Sequence, residues 1–67
     1  MEIKINGRST GLPNANVSLV DLILLLDLAH ERVAIELNET VVQKRDWATT
    51  QLKSNDRVEI VHFVGGG

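Results

Sequence analysis

The chain closes on the stretch EIVHFVGGG, residues 59–67, in which strand-forming residues lead directly into three glycines. Glycine has no Cβ, so such a tail can pass through a channel that is too narrow for side chains. Extended residues advance ~3.3–3.6 Å each, so three glycines reach on the order of 10 Å beyond a folded body. We expect residues 1–64 to form one domain and residues 65–67 to form a flexible tail ending in the carboxylate of Gly67.

Terminal glycines are often simply disordered, which is the plain alternative for this ending. Here they follow a strand without a linker, so the carboxylate would stay close to the folded body. This arrangement favours a tail that a partner protein takes up. We expect Gly67 to be the reacting residue, Gly65 and Gly66 to thread the partner's active site, and residues 62–64 (His62, Phe63 and Val64) to contact the partner.

Length and composition limit the function classes. A chain of 67 residues forms one small domain, with no room for both a core and a deep catalytic pocket, which argues against an enzyme. The net charge of −2 and the absence of a basic run argue against a nucleic-acid partner. Cysteine is absent, so this sequence can form neither a disulfide nor a persulfide.

The sequence also predicts a cytoplasmic protein without metal. Residues 1–4 lack the pattern of a signal peptide, and the apolar run of residues 22–26 is far shorter than a membrane span. His30 and His62 have no neighbouring histidine or cysteine with which to bind a metal. No nucleophile elbow or phosphate-binding glycine loop occurs in the sequence.

The first half of the chain predicts a hairpin followed by a helix. Ile3 and Ile5 alternate with polar residues, as in a half-buried strand, and residues 6–7 (Asn-Gly) are the strongest short signal for a type I′ turn. A return strand is expected over about residues 8–12. Ser18 is the predicted N-cap of the helix, with Asp21 in its first turn.

Two apolar stripes follow on this helix. We expect the first to face the core; it comprises Leu19, Leu22, Ile23 and Leu26. The second comprises Val20, Leu24 and Leu28. Packing under a neighbouring loop is our interpretation of this second stripe, and a contact surface is the alternative.

The second half predicts three more strands. Residues 33–37 alternate as a third strand, a turn at residues 38–39 leads into a fourth over residues 40–43, and an irregular connection begins at Lys44. Trp47 is expected to cover the core. Val58, Ile60 and His62 are expected to share one face of the last strand. A hairpin, one helix and a mixed sheet form an α+β architecture.

A carboxylate needs activation before it reacts with a nucleophile, and adenylation by ATP is the usual route. An accessible terminal glycine suits that step, because no side chain obstructs the incoming phosphate. Since the chain has no cysteine, any sulfur that it carries would reside on the carboxylate of Gly67.

Four segments and the closing glycines carry a family resemblance: IKING (3–7), VAIELN (33–38), VQKRDW (42–47), DRVEI (56–60) and Gly66-Gly67. Over essentially its whole length the chain resembles the ThiS family, the sulfur carriers of thiamin biosynthesis in the ubiquitin-like β-grasp superfamily. It departs from the family pattern at Gln43-Lys44, where a Pro-Arg pair is usual, and at Glu39 and Asn55, where glycine is common.

The resemblance implies a β-grasp fold of about five strands in the order 2-1-5-3-4, with the last strand central and parallel to the first. It implies that a ThiF-like enzyme uses ATP and magnesium to adenylate Gly67, that sulfur from a cysteine desulfurase replaces AMP, and that a ThiG-like thiazole synthase consumes the thiocarboxylate. The chain would bind no cofactor and would be a substrate, never the catalyst. Alternatives are the small subunit of molybdopterin synthase, a protein modifier joined through Gly67, and a plain adaptor domain.

Overall fold

The computed structural model describes residues 1–13 and 16–63. The strands are β1 Glu2–Ile5, β2 Arg8–Gly11, β3 Val33–Leu37, β4 Thr40–Val42 and β5 Arg57–His62. The helices are α1 Leu19–Leu25 and two 3-10 helices, His30–Arg32 and Lys44–Thr49. The predicted boundary between residues 64 and 65 lies outside the described residues.

The five described strands form one mixed sheet in the order β2-β1-β5-β3-β4, which confirms the predicted topology. β5 runs parallel to β1, with Ile5 opposite Val58, and antiparallel to β3, with Ile35 opposite Ile60. The last strand of the sequence is therefore the central strand of the sheet.

Turn chemistry explains both hairpins. Asn6 and Gly7 have φ values of 49° and 84°, the positive values that a type I′ turn requires at both central residues. Asn38 and Glu39 have φ values of 51° and 71° in the turn between β3 and β4. Glu39 holds a left-handed conformation that asparagine and glycine adopt more readily.

The helix begins as predicted. The Ser18 hydroxyl accepts a hydrogen bond from the Asp21 N–H at 3.1 Å, and the Asp21 carboxylate accepts one from the Ser18 N–H at 3.0 Å, which completes a capping box. Backbone bonds from Leu19 to Thr50 and from Leu52 to Val17 join this helix start to the segment before β5.

The helix end corrects one core assignment. Leu26 is exposed, whereas Leu19, Leu22 and Ile23 are buried. The chain leaves the helix through Asp27, whose φ is 56°, and the Leu28 N–H then bonds to the Ile23 carbonyl at 3.1 Å. This is the pattern of a Schellman motif, which turns the chain one residue after Leu26.

The second stripe on the helix is divided between two environments. Val20 and Leu28 are partly buried and pack against the core, whereas Leu24 is 72% exposed. Leu24 borders a shallow apolar groove of about 520 Å³ between the helix and Trp47.

The connection after β4 is a 3-10 helix, so its prediction as irregular was wrong. Its register buries Trp47 to 2% exposure, which confirms the predicted cover over the core. The Trp47 indole N–H donates to the Val42 carbonyl at 3.0 Å, so the one polar atom of this side chain is satisfied.

Candidate functional site

The candidate site is the end of β5, where the chain leaves the sheet. Val58 and Ile60 are buried in the core, and the Phe63 N–H donates to the Arg32 carbonyl at 2.8 Å. The sheet therefore holds the backbone up to the last described residue. The predicted residues Val64, Gly65, Gly66 and Gly67 lie outside the described residues, and their roles stay predictions.

An asparagine side chain extends the pairing of β5 beyond the end of β1. The Asn6 carboxamide oxygen accepts from the Ile60 N–H at 2.7 Å, and its NH₂ group donates to the Ile60 carbonyl at 3.2 Å. The Asn6 carboxamide thus replaces the backbone donor and acceptor that β1 would have provided to Ile60 if the strand had continued. Asn6 can do this from within the turn because it tolerates a positive φ.

A second asparagine holds the opposite end of β5. The Asn38 carboxamide oxygen accepts from the Arg57 N–H at 2.9 Å, and its NH₂ group donates to the Asp56 carboxylate at 3.1 Å. Both asparagines lie in tight turns, and both hold the strand that leads to residues 64–67. Sequence analysis identified the turns but missed these contacts.

His62 lies on the same face of β5 as Val58 and Ile60, as predicted, but it is not buried like them. It is exposed, because pairing between β1 and β5 stops at Ile5 and Val58 and β5 then continues past its neighbour. Alternation assigned His62 to a face correctly, but no described element covers that face at its position. Its exposure agrees with the predicted role in partner contact, which stays a prediction.

The outer face of the sheet, opposite the helix, carries an apolar surface near the end of β5. Val61 and Phe63 are 52% and 56% exposed, and Val61 lies opposite Ala34 on β3. Val41 on β4 is also exposed. Phe63 was predicted as a contact residue, whereas Val61 and Val41 were not. In β4 and β5, apolar residues occur on both faces of the strand, although only one face packs against the core. This pattern was the sequence signal for Val61 and Val41.

The described residues contain no further cluster of reactive or metal-binding side chains. Between residues 1–13 and 16–63, no three histidine or acidic side chains gather into a group that could hold a metal ion. In the same part of the chain, no helix is both long and apolar enough to span a membrane. The His30 imidazole and the Glu31 carboxylate lie 3.2 Å apart in an exposed pair, in the 3-10 helix whose Arg32 carbonyl accepts the Phe63 N–H.

Comparison with known proteins places this fold and this chain end in a family. The model of the ThiS family matches residues 2–67. The chain belongs to the ThiS family. It is 31% identical over 65 residues to the sulfur carrier protein ThiS of Bacillus subtilis, covering 97% of this chain and 98% of that protein.

A solved structure agrees with this membership. The crystal structure of the thiamine biosynthesis protein ThiS from Geobacter metallireducens matches with a TM-score of 0.87 and 30% sequence identity, over 100% of both chains. The β-grasp architecture inferred from the sequence is thus the architecture of a ThiS protein.

A further relative is much longer. The chain is 37% identical over 67 residues to the thiazole synthase of Magnetococcus marinus, and it spans 20% of that protein's length. A second thiazole synthase, from Paramagnetospirillum magneticum, is 33% identical, and the chain again spans 20% of its length. Both proteins contain a segment similar to the whole of this ThiS-family chain.

Proposed function

We propose that this chain is a sulfur carrier of thiamin biosynthesis, and that its cargo is held as a thiocarboxylate on Gly67. Membership in the ThiS family is the observation that carries this proposal. The structure supports it because β5, the central strand, leads directly into residues 64–67. The chain binds no cofactor of its own in this proposal, and it acts in the cytoplasm.

The proposed chemistry has two steps on the Gly67 carboxylate. A carboxylate oxygen attacks the α-phosphorus of ATP on a ThiF-like activating enzyme, with magnesium, and pyrophosphate leaves. A desulfurase takes the sulfur from cysteine as an enzyme persulfide, and a thiol reductant releases it as hydrosulfide, with formation of a disulfide. The hydrosulfide then attacks the acyl carbon, and AMP leaves with the carboxylate oxygen. The product is a thiocarboxylate, and neither step requires a redox change when hydrosulfide is the attacking species.

The proposed acceptor is a ThiG-like thiazole synthase. Two thiazole synthases contain a segment similar to this chain, which supports a functional link between a carrier of this family and that enzyme. Sulfur would pass from the thiocarboxylate of Gly67 into the thiazole ring, and the carboxylate would be regenerated for another cycle.

The test follows the intact mass of the chain during incubation with the activating enzyme, ATP, magnesium and sulfide. The parent chain should gain the mass difference between sulfur and oxygen, localised to Gly67. Addition of one residue after Gly67 moves the carboxylate by ~3.5 Å. Since misplacement by about 1 Å can reduce a rate ~100-fold, the extended chain should acquire little or no sulfur.

Gly66→Ala is the second test variant, because its Cβ would enter a narrow channel in the partner. Gly11→Ala is the matched control, since a Cβ at Gly11 meets no atom within 4 Å. Gly11→Ala should react like the parent, and Gly66→Ala should react slowly.

Thiocarboxylate formation on the extended chain at the parental rate would refute the proposal. Linkage of Gly67 to lysines without a sulfur intermediate would identify a protein modifier instead, and sulfur delivery only to a molybdopterin precursor would identify the other pathway.

A further inference from the structure

The backbone of β5 has a free hydrogen-bonding edge at His62. Residues opposite each other in an antiparallel pair alternate between hydrogen-bonded and non-hydrogen-bonded positions. Phe63 bonds to Arg32, and Arg57 accepts a bond from Asn38, so the odd-numbered residues of β5 direct their N–H and C=O groups toward β3. The even-numbered residues direct theirs toward β1.

The edge toward β1 is occupied as far as Ile60. The Val58 carbonyl accepts from the Asn6 N–H at 2.8 Å, and both backbone groups of Ile60 bond to the Asn6 carboxamide. The next residue on this edge is His62. Within residues 1–13 and 16–63, no group forms a hydrogen bond with the N–H or C=O of His62 on that side. His62 is exposed, so this edge is open to an incoming chain.

We propose that the His62 edge of β5 is a strand-addition site for an extended segment of the activating enzyme. This inference rests on the proposed function. Residue 67 can lie at most ~14 Å beyond Phe63 at ~3.3–3.6 Å per residue, so an enzyme that acts on Gly67 works within that distance of Phe63 and close to the His62 edge. An unpaired strand edge is complementary to another extended backbone, which is the basis of recognition by strand addition.

The side chains next to this edge specify the character of the added segment. Val61 and Phe63 flank His62 on the outer face of the sheet, and both are more than half exposed. A strand added beside His62 would continue that face, so its outward side chains would lie against these two. The partner segment is therefore extended, pairs through its main chain at His62, and carries apolar side chains toward Val61 and Phe63.

The test is N-methylation of the His62 amide in a chemically synthesised chain. The methyl group removes the donor and blocks the edge, but it breaks no bond to β3, because His62 directs its N–H away from β3. N-methylation at Ser9 is the matched control. Ser9 lies opposite Lys4 in β2, an outer strand of the sheet, at a position that directs its N–H away from β1.

The readout is Gly67 adenylation, measured as ATP–pyrophosphate exchange over a range of chain concentrations. N-methyl-His62 should raise KM by about tenfold, equivalent to ~1.4 kcal/mol, and N-methyl-Ser9 should stay within about twofold of the parent. As a measurement that needs no variant, the His62 N–H of the unmodified chain should exchange with solvent about tenfold more slowly once the activating enzyme is bound.

Each outcome decides the inference. Equal KM values for the two N-methyl chains, or an unchanged exchange rate of the His62 N–H in the complex, would overturn the strand-addition site while leaving the sulfur-carrier function intact. Failure of the parent chain to be adenylated would overturn both. If the parent sediments as a dimer that N-methyl-His62 alone converts to a monomer, with adenylation unchanged, the edge binds a second copy of this chain and the inference is wrong.

Discussion

Replacing Asn6 by glycine tests whether its carboxamide stabilises the strand that leads to the tail. Glycine accepts the φ of 49° at this position without strain, so the turn survives and only the side-chain contacts are lost. The carboxamide forms two hydrogen bonds with Ile60, at 2.7 and 3.2 Å. A hydrogen bond contributes ~0.5–1.5 kcal/mol net, so we expect the free energy of unfolding to fall by about 2 kcal/mol. In a domain of this size that lowers Tm by roughly 8–16 °C.

Asn38→Gly is the matched control, because Asn38 also lies in a turn at a positive φ and its side chain also forms two hydrogen bonds, one to Arg57 in β5 and one to Asp56 just before β5. Its bond to Asp56 is exposed and joins two side chains, so we expect a smaller loss of about 1 kcal/mol. The two variants should differ most in local amide exchange. Asn6→Gly should accelerate exchange of the Ile60 N–H, and Asn38→Gly should accelerate exchange of the Arg57 N–H.

Thermal unfolding followed by circular dichroism, together with amide exchange followed by NMR, measures both effects. If Asn6→Gly melts at the parental temperature and the Ile60 N–H stays protected from exchange, the Asn6 carboxamide does not stabilise the contact between the first hairpin and β5. If both variants expose both amides equally, the two asparagines act on the whole fold and not on separate ends of β5.

Substitutions at four further positions test the packing and the cap. Ser18→Ala removes the capping box and should cost about 1 kcal/mol in urea unfolding, and an unchanged midpoint would show that the cap contributes nothing. Leu22→Ala should lower the free energy of unfolding by ~2–5 kcal/mol because Leu22 is fully buried. Leu24→Ala, at the exposed helix surface, should change it by no more than ~0.5 kcal/mol. Equal losses would contradict the assigned helix faces. Trp47→Phe should lose the bond to the Val42 carbonyl and about 1 kcal/mol or more, and Trp47→Ala should lose ~3–5 kcal/mol, both measured by thermal unfolding. A Trp47→Ala chain that melts with the parent would refute the role of this side chain as the cover of the core.

The sequence predicted the fold well because its local signals agree with each other. The Asn6-Gly7 turn, the Ser18 cap and the alternation in β3 each specify one element, and the structure contains all of them. Burial departs from the periodic pattern where elements end. Leu26 and His62 follow the correct periodicity, but the helix stops at Leu25 and pairing with β1 stops opposite Val58. Periodicity assigns a face and does not determine whether a neighbouring element covers it.

The candidate site was predictable only in part, for a different reason. Phe63 and His62 could be named because they precede the glycines in the sequence. The contact between Asn6 and Ile60 joins residues 54 positions apart, and no local pattern reports such a pairing. No local pattern predicts the open edge at His62 either, because that edge exists only where β5 extends beyond the end of β1. The predictions for residues 64–67 concern chemistry on a partner, so the fold alone does not test them.

The position of β5 couples presentation of the tail to completion of the fold. β5 is the last strand in sequence and the central strand in space, and its two neighbours come from the first hairpin and from the strand after the helix. Pairing of β1 with β5 joins residues that are more than 50 positions apart, so its loop-closure entropy must be offset by the contacts of the rest of the fold. The backbone before residue 64 is consequently fixed only when the hairpin, β3 and the Asn6 contact are all in place. A partner that recognises this fixed backbone at His62 would therefore distinguish a folded carrier from an unfolded chain with the same terminal glycines.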